Sequence, residues 1–153
     1  ADWVEFTRGG FVADRHGGAL GGDDAFRVYL WTGMLPASDL SRDKLARALR
    51  PMLDSVEQRP TPAATIDVHT LQMNGEGSPG CSAALLPMLA NARMSAALQA
   101  QRLRAAAGSL QNNRSCYSDA LALFGLGWLE QRYRFNNAGL LNVRWTPAGT
   151  RPH

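Results

Sequence analysis

The spacing of hydrophobic residues changes along this chain, and the change limits the folds available to it. Apolar and polar side chains alternate in several short stretches, as in half-buried strands. The clearest stretch is residues 26–31, where Phe26, Val28 and Leu30 fall on one face. Two further stretches flank an Asn-Asn-Ala-Gly turn, which predicts a closing hairpin. The predicted strands are residues 3–7, 11–13, 26–31, 65–73, 133–135 and 141–145.

Other segments have the spacing of helices. Leu45, Leu49 and Leu53 recur at every fourth position, which predicts a helix that Pro51 kinks or divides. The predicted helices are residues 41–58, 87–107 and 118–131. The chain is therefore predicted to be α+β, with a small antiparallel sheet of about five or six strands packed against about three helices.

The length of 153 residues is typical of one domain, so residues 1–153 are predicted to fold as a single globular unit. Within it we expect a flexible glycine-rich loop at residues 15–24, a proline-rich linker at 59–63 and a C-terminal tail at 146–153. No run of 18 apolar residues occurs, so no transmembrane segment is predicted.

The two cysteines, Cys81 and Cys116, bear on the cellular compartment. An even pair in a chain that begins Ala-Asp, as after signal-peptide removal, predicts one disulfide and a periplasmic or secreted location. The alternative is a pair of reduced, buried thiols in a cytoplasmic protein.

Cys81 also has a catalytic interpretation. It follows Gly80 in a sequence that can place a thiol at a helix N-terminus, where the dipole lowers a cysteine pKa. His69 and Asp67 fall on one face of a predicted strand, so that the carboxylate can orient the imidazole as a base. This pattern predicts a small thiol hydrolase or amidase as the alternative function. The histidine precedes the cysteine, the reverse of the usual order, so a structural disulfide is preferred.

Charge is distributed unevenly. Residues 1–85 contain eight basic and eleven acidic residues, whereas residues 86–153 contain eight arginines and only Asp119 and Glu130 as acids. Such a basic part favours an acidic protein partner or packing against the acidic part, and the alternating hairpin argues against a nucleic-acid surface. The predicted partner-binding residues are Arg93, Arg104, Arg132, Arg134, Arg144 and Trp145.

Two further patterns are interpreted as loops. Residues 75–80 have G-x-G-x-x-G spacing, but Pro79 removes an amide that would bind phosphate, and no acidic residue follows until Asp119. A turn is therefore predicted, and no cofactor. Oxygen and nitrogen ligands occur close together in the glycine-rich loop without the spacing of a calcium site, so no metal is predicted. These residues are Asp14, His16, Asp23 and Asp24.

No catalytic set in the sequence is convincing, and no family is identified. The leading prediction is an exported, non-enzymatic protein-binding module, such as an inhibitor, an immunity-type protein or an accessory subunit. Its arginine-rich C-terminal face would bind an acidic partner. The thiol hydrolase of Cys81, His69 and Asp67 is the alternative.

Overall fold

Six helices form the main part of the secondary structure in this computed structural model, which describes residues 1–15, 18–108 and 115–144. No helix in these ranges has both the length and the apolar character needed to cross a bilayer. The helices are α1 (Phe26–Met34), α2 (Arg42–Ala48), α3 (Arg50–Gln58), α4 (Pro79–Asn91), α5 (Ser95–Gly108) and α6 (Cys116–Leu129).

The strands are short and form three separate antiparallel sheets in the described residues. β1 pairs with β2, β4 lies between β3 and β5, and β6 pairs with β7. The α+β single-domain class is confirmed, whereas the single sheet of five or six strands and the count of three helices are wrong. The strands are β1 (Val4–Thr7), β2 (Gly10–Ala13), β3 (Leu20–Gly21), β4 (Thr65–Asp67), β5 (Met73–Asn74), β6 (Tyr133–Phe135) and β7 (Leu141–Val143).

The predicted strand at residues 26–31 is helix α1, which removes the longest strand from the predicted sheet. The buried residues Phe26, Tyr29 and Leu30 follow helical spacing, while Val28 is 44% exposed. Six residues are too few to separate a period of 2 from one of 3.6 by alternation alone.

Two helix predictions change at their boundaries. The chain divides at Pro51, which lies in the first turn of α3, where its missing amide costs nothing. The predicted helix at residues 87–107 is two helices, α4 and α5, joined by a turn in which Arg93 has a φ of 57°. Its apolar residues show no single stripe because they belong to two helices.

Helix α4 lies at the centre of the fold, and residues 80–89 of it are buried. It packs against α1, α5 and α6. A Cβ on Gly33 would lie 2.5 Å from the Met88 nitrogen, and the Cys81 thiol lies 3.8 Å from Asp23, so α1 and α4 run in the same direction. Ser82 hydrogen-bonds Gln101 near the middle of α5, and Pro79 touches Gly108 at its end, so α5 runs in the opposite direction.

Helix α6 also runs parallel to α4. The Gly80 amide donates to Ser118 Oγ at 2.9 Å near both N-termini. Further along, a Cβ on Gly125 would lie 2.1 Å from the Ala83 carbonyl oxygen. The N-termini of α1, α4 and α6 therefore meet at one end of the molecule.

Burial of Tyr29 predicts weaker stability at alkaline pH. Desolvation raises the pKa of Tyr29 to about 12. Between pH 10 and 12 the unfolded chain loses this proton while the folded chain retains it, so the free energy of unfolding falls as the pH rises. The loss is on the order of 2 kcal/mol. Urea unfolding across this pH range is expected to show a shallower fall for Tyr29→Phe, and equal slopes would contradict the prediction.

Candidate functional site

Three carboxylates lie where the N-termini of α1, α4 and α6 meet. Asp23 and Asp24 come just before α1, and Asp2 reaches the same loop from the N-terminal segment. Negative charge is stabilised near the positive end of a helix dipole. The three side chains nevertheless have different surroundings, which separates a structural role from a chemical one.

Asp2 holds the loop in place. One carboxylate oxygen accepts hydrogen bonds from the Gly22 amide at 2.8 Å and the Ala25 amide at 2.7 Å, and the second lies 2.9 Å from the Gly22 amide. The bond from Ala25, the N-cap residue of α1, satisfies an amide that has no partner within the helix, and the bonds from Gly22 fix the preceding loop. Asp2 is therefore a cap for the segment that carries Asp23 and Asp24.

Asp24 forms an ion pair with Arg27, one helical turn further on. Their side chains lie 2.8 Å apart and are 38% and 45% exposed. The Arg27 Nε also donates to the Asp24 carbonyl at 3.3 Å, so the guanidinium contacts both the side chain and the backbone of this residue. The carboxylate is thus oriented while remaining accessible to a ligand.

Tyr117 ties α6 to the same loop. Its hydroxyl donates to the Asp23 carbonyl oxygen at 2.5 Å. Desolvation raises the pKa of Tyr117, so the phenol is neutral and a hydrogen-bond donor at neutral pH. Residues separated by 94 positions in sequence are in this way joined at one site.

A buried polar network holds the turn before α4. Arg104 donates to the Gly77 carbonyl at 2.5 Å, the Ser78 carbonyl at 2.8 Å and Ser82 Oγ at 2.8 Å. Ser82 Oγ in turn donates to Gln101 Oε1 at 2.7 Å. The guanidinium therefore fixes the glycine-rich turn through contacts within the chain.

The G-x-G-x-x-G segment is the turn that leads into α4, together with the first two residues of that helix. Ser78 is the N-cap residue, and its hydroxyl accepts from the Cys81 amide at 3.4 Å. Gly75 has a φ of 68°, a conformation that favours glycine. The glycines thus serve a turn that leads into a capped helix.

The predicted disulfide between Cys81 and Cys116 is wrong, because both cysteines are free. Cys81 is fully buried in α4, whereas Cys116 is exposed at the start of α6. The polar neighbours of the Cys81 thiol are Ser78 Oγ at 3.4 Å and Asp23 Oδ1 at 3.8 Å. Burial raises the pKa of Cys81, so the thiol is neutral and a weak nucleophile.

The two thiols are expected to react very differently with an aromatic disulfide reagent at pH 7.5. Without reductant, the folded protein should release one equivalent of thiolate rapidly, from Cys116, and a second only in denaturant, from Cys81. Cys116→Ser should abolish the rapid reaction and leave the reaction of Cys81 in denaturant. If no thiol reacted, even in denaturant, a disulfide would be present.

His69 and Asp67 do not form a catalytic pair with Cys81. Asp67 is the last residue of β4 and His69 lies in the turn that follows, where the Asp67 carboxylate accepts from the amides of His69 at 2.9 Å and Thr70 at 2.8 Å. These hydrogen bonds lower the pKa of Asp67. The carboxylate stabilises a turn, and the imidazole is not among the polar neighbours described for the thiol.

The arginines predicted to bind a partner occupy different environments. Arg104 belongs to the network above, and the Arg134 guanidinium lies over the Trp128 ring at 4.0 Å from its centroid. Arg132 pairs with Glu130 at 3.1 Å, and Arg93 and Arg144 are exposed. Trp145 lies outside the described residues.

From the sequence, Asp23 and Asp24, with Asp14 and His16, are considered as cation ligands and rejected in favour of a loop, and Arg27 and Tyr117 are missed. His16 lies outside the described residues, and no metal-binding group of His, Cys, Asp and Glu occurs within them. The signal that was available is the Asp-Asp pair directly before an apolar helical segment. It was not recognised because that segment was taken for a strand.

Comparison with known proteins relates the chain to one group of enzymes. It is 35% identical over 145 residues to the endoglucanase of Escherichia coli K12, a match covering 94% of this chain and 38% of that protein. It is 42% identical over 150 residues to the endoglucanase of Xanthomonas axonopodis pv. citri strain 306, covering 96% and 39%. No family model matches the chain.

A solved structure has a similar fold. The crystal structure of endo-1,4-D-glucanase from Vibrio fischeri ES114 matches with a TM-score of 0.77 and 33% identity, covering 94% of this chain and 42% of that one. The chain thus spans about two fifths of the length of these relatives. The relatives are enzymes that act on glycosides, so the predictions of a non-enzymatic binding module and of a thiol hydrolase are both wrong.

Proposed function

We propose that this chain forms part of a glycoside hydrolase that cleaves internal bonds of 1,4-linked D-glucans. The observation that carries the proposal is the likeness to the Vibrio fischeri endo-1,4-D-glucanase, which extends over nearly the whole chain in both sequence and fold. The binding partner is then a sugar chain and not an acidic protein.

The chemistry of glycoside hydrolysis favours Asp24 as a catalytic group. Most glycosidases use two carboxyl groups, one as acid and the other as base or nucleophile. The base or nucleophile must carry negative charge, which a guanidinium partner and a helix N-terminus both stabilise. Asp24 has both, because Arg27 lies 2.8 Å away and α1 begins two residues later. We assign it the role of base or nucleophile.

The second carboxyl group is not assigned among the described residues. Asp2 is unsuitable because its two oxygens are engaged by backbone amides. We propose that the acid comes from the part of the glucanase fold that this chain does not span. The separation of the two carboxyl groups would then decide between direct attack by water, at about 6.5–9.5 Å, and a covalent intermediate, at about 5–5.5 Å.

Arg27 and Tyr117 are proposed as positioning residues. Arg27 orients the Asp24 carboxylate, and Tyr117 fixes the Asp23 carbonyl and hence the loop that carries both aspartates. A misplacement of about 1 Å in a catalytic group can cost about a hundredfold in rate. The contact between α6 and this loop is therefore part of the proposed site.

A hybrid enzyme tests the proposal. In the hybrid, this chain replaces the matched 145-residue region of the Escherichia coli K12 endoglucanase. Purified hybrid is expected to lower the viscosity of carboxymethylcellulose faster than it releases reducing ends, the signature of internal cleavage. A hybrid that unfolds cooperatively on heating but leaves the viscosity unchanged would overturn the proposal.

A periplasmic or secreted location stays a prediction. The disulfide that favoured it is absent, since Cys81 and Cys116 are free. Export is now proposed because a hydrolase of polymeric glucan has to reach its substrate.

A further inference from the structure

Helix α6 is apolar on the side that faces away from α4. Residues 120–129 contain no charged side chain, so both sides of this helix are apolar. The inner side is buried, with Leu121 and Gly125 against the core, while Leu123 on the outer side is 72% exposed and Phe124 is 48% exposed. A helix that is apolar all round is typical of a buried position.

The C-terminal hairpin continues this apolar surface. Together α6, β6 and β7 line an open groove of about 1090 Å³. Its lining is mainly apolar and includes Leu123, Leu126, Phe135, Leu141 and Val143, of which Leu141 is 54% exposed. Charged residues, among them Glu130, Arg132 and Arg144, also line it. A large exposed apolar surface with charged residues beside it is typical of a protein interface.

The outer face of α5 differs. It exposes Gln99, Arg102 and several alanines. Leu103 lies among these residues and is 61% exposed. Single exposed leucines are ordinary on a solvated surface. The groove is therefore a feature of one side of the molecule and not of the helices in general.

We propose that the α6–hairpin groove binds an apolar helix face from the part of the glucanase fold that this chain does not span. The Vibrio fischeri enzyme supports this occupant, because more than half of its chain has no counterpart here. Docking there would bury α6 on both sides and extend the core beyond the Leu86 and Ala122 cluster. This inference rests on the fold relationship used for the proposed function, and not on catalysis.

The experiment places a charge in the groove. Leu123→Glu is compared with Leu103→Glu, a leucine of similar exposure on α5, both in the isolated 153-residue chain and in the hybrid with the Escherichia coli enzyme. In the isolated chain, both substitutions are expected to leave the melting temperature unchanged, because both positions face water. In the hybrid, Leu123→Glu is expected to lower it by on the order of 5 °C, while Leu103→Glu leaves it unchanged.

Leu141→Glu, on the hairpin side of the groove, provides a second variant with the same expected pattern. Equal melting temperatures for all hybrids would overturn the inference, as would an equal loss for Leu123→Glu in the isolated chain and in the hybrid. Sedimentation of the isolated chain as a dimer that Leu123→Glu dissociates would identify a second copy as the occupant and also overturn it. A hybrid that shows the expected losses but hydrolyses no glucan would refute the proposed function alone.

Discussion

Asp24→Asn in the hybrid enzyme is expected to lower kcat for glucan hydrolysis by about 10²- to 10⁴-fold, with little change in KM or melting temperature. Asparagine has the shape of aspartate but neither accepts a proton nor attacks a sugar carbon. Since the Asp24 carboxylate is partly exposed and its described partner is Arg27, its loss removes no buried packing. The effect is therefore expected on catalysis and not on folding.

A matched control separates catalysis from the general loss of an aspartate–arginine pair. Asp54 pairs with Arg50 on α3, and their side chains are 48% and 49% exposed, close to the values for Asp24 and Arg27. Asp54→Asn is expected to leave kcat unchanged, because Asp54 has no role in the proposed site. It should also leave the melting temperature nearly unchanged, since exposed pairs of this kind contribute little to stability. An Asp24→Asn enzyme with kcat near that of the parent would remove Asp24 from the mechanism.

Local patterns in the sequence predicted the elements that local contacts stabilise. The closing hairpin formed as predicted, with Tyr133 opposite Val143, because a tight turn and alternation determine its register within about ten residues. The division of the long helix at Pro51 followed from proline geometry alone. Such features need no knowledge of the rest of the fold.

Features that depend on tertiary packing could not be obtained in this way. Residues 26–31 alternate like a strand, but packing against α4 selects the helix that buries Phe26, Tyr29 and Leu30. An even number of cysteines, Cys81 and Cys116, is compatible with one disulfide. Their positions on two helices nevertheless leave one buried and the other exposed. Pattern and count alone do not place side chains in space.

The candidate site could not be predicted from the sequence either, because it also depends on tertiary packing. It joins the loop before α1 to Tyr117 across 94 residues and to Cys81 across 58. The Asp-Asp pair was visible in the sequence, but its importance follows from the meeting of three helix N-termini. That meeting depends on the close approach of α4 and α6, which Gly80 and Gly125 permit.

Gly125→Ala is expected to destabilise the chain by about 3 kcal/mol, which corresponds to a fall of about 10 °C in Tm. The added Cβ would lie 2.1 Å from the carbonyl oxygen and 2.7 Å from the carbonyl carbon of Ala83. Both are backbone atoms of α4, so no side-chain rotation relieves the clash. Urea unfolding followed by circular dichroism measures the loss, and in the hybrid the displaced α6 should also carry Tyr117 away from Asp23 and reduce kcat.

Gly127→Ala, two residues further along α6 and on a different side of the helix, is the matched control. Its Cβ would meet only the ring of Tyr133, at 3.2 Å, a side chain that can shift. Alanine also favours the helix over glycine by about 1 kcal/mol, so the variant is expected to be as stable as the parent or slightly more so. If both variants unfolded at the parent's urea concentration, α4 and α6 would not approach as closely as described, and the meeting of N-termini that aligns Asp23, Asp24 and Tyr117 would lose its structural basis.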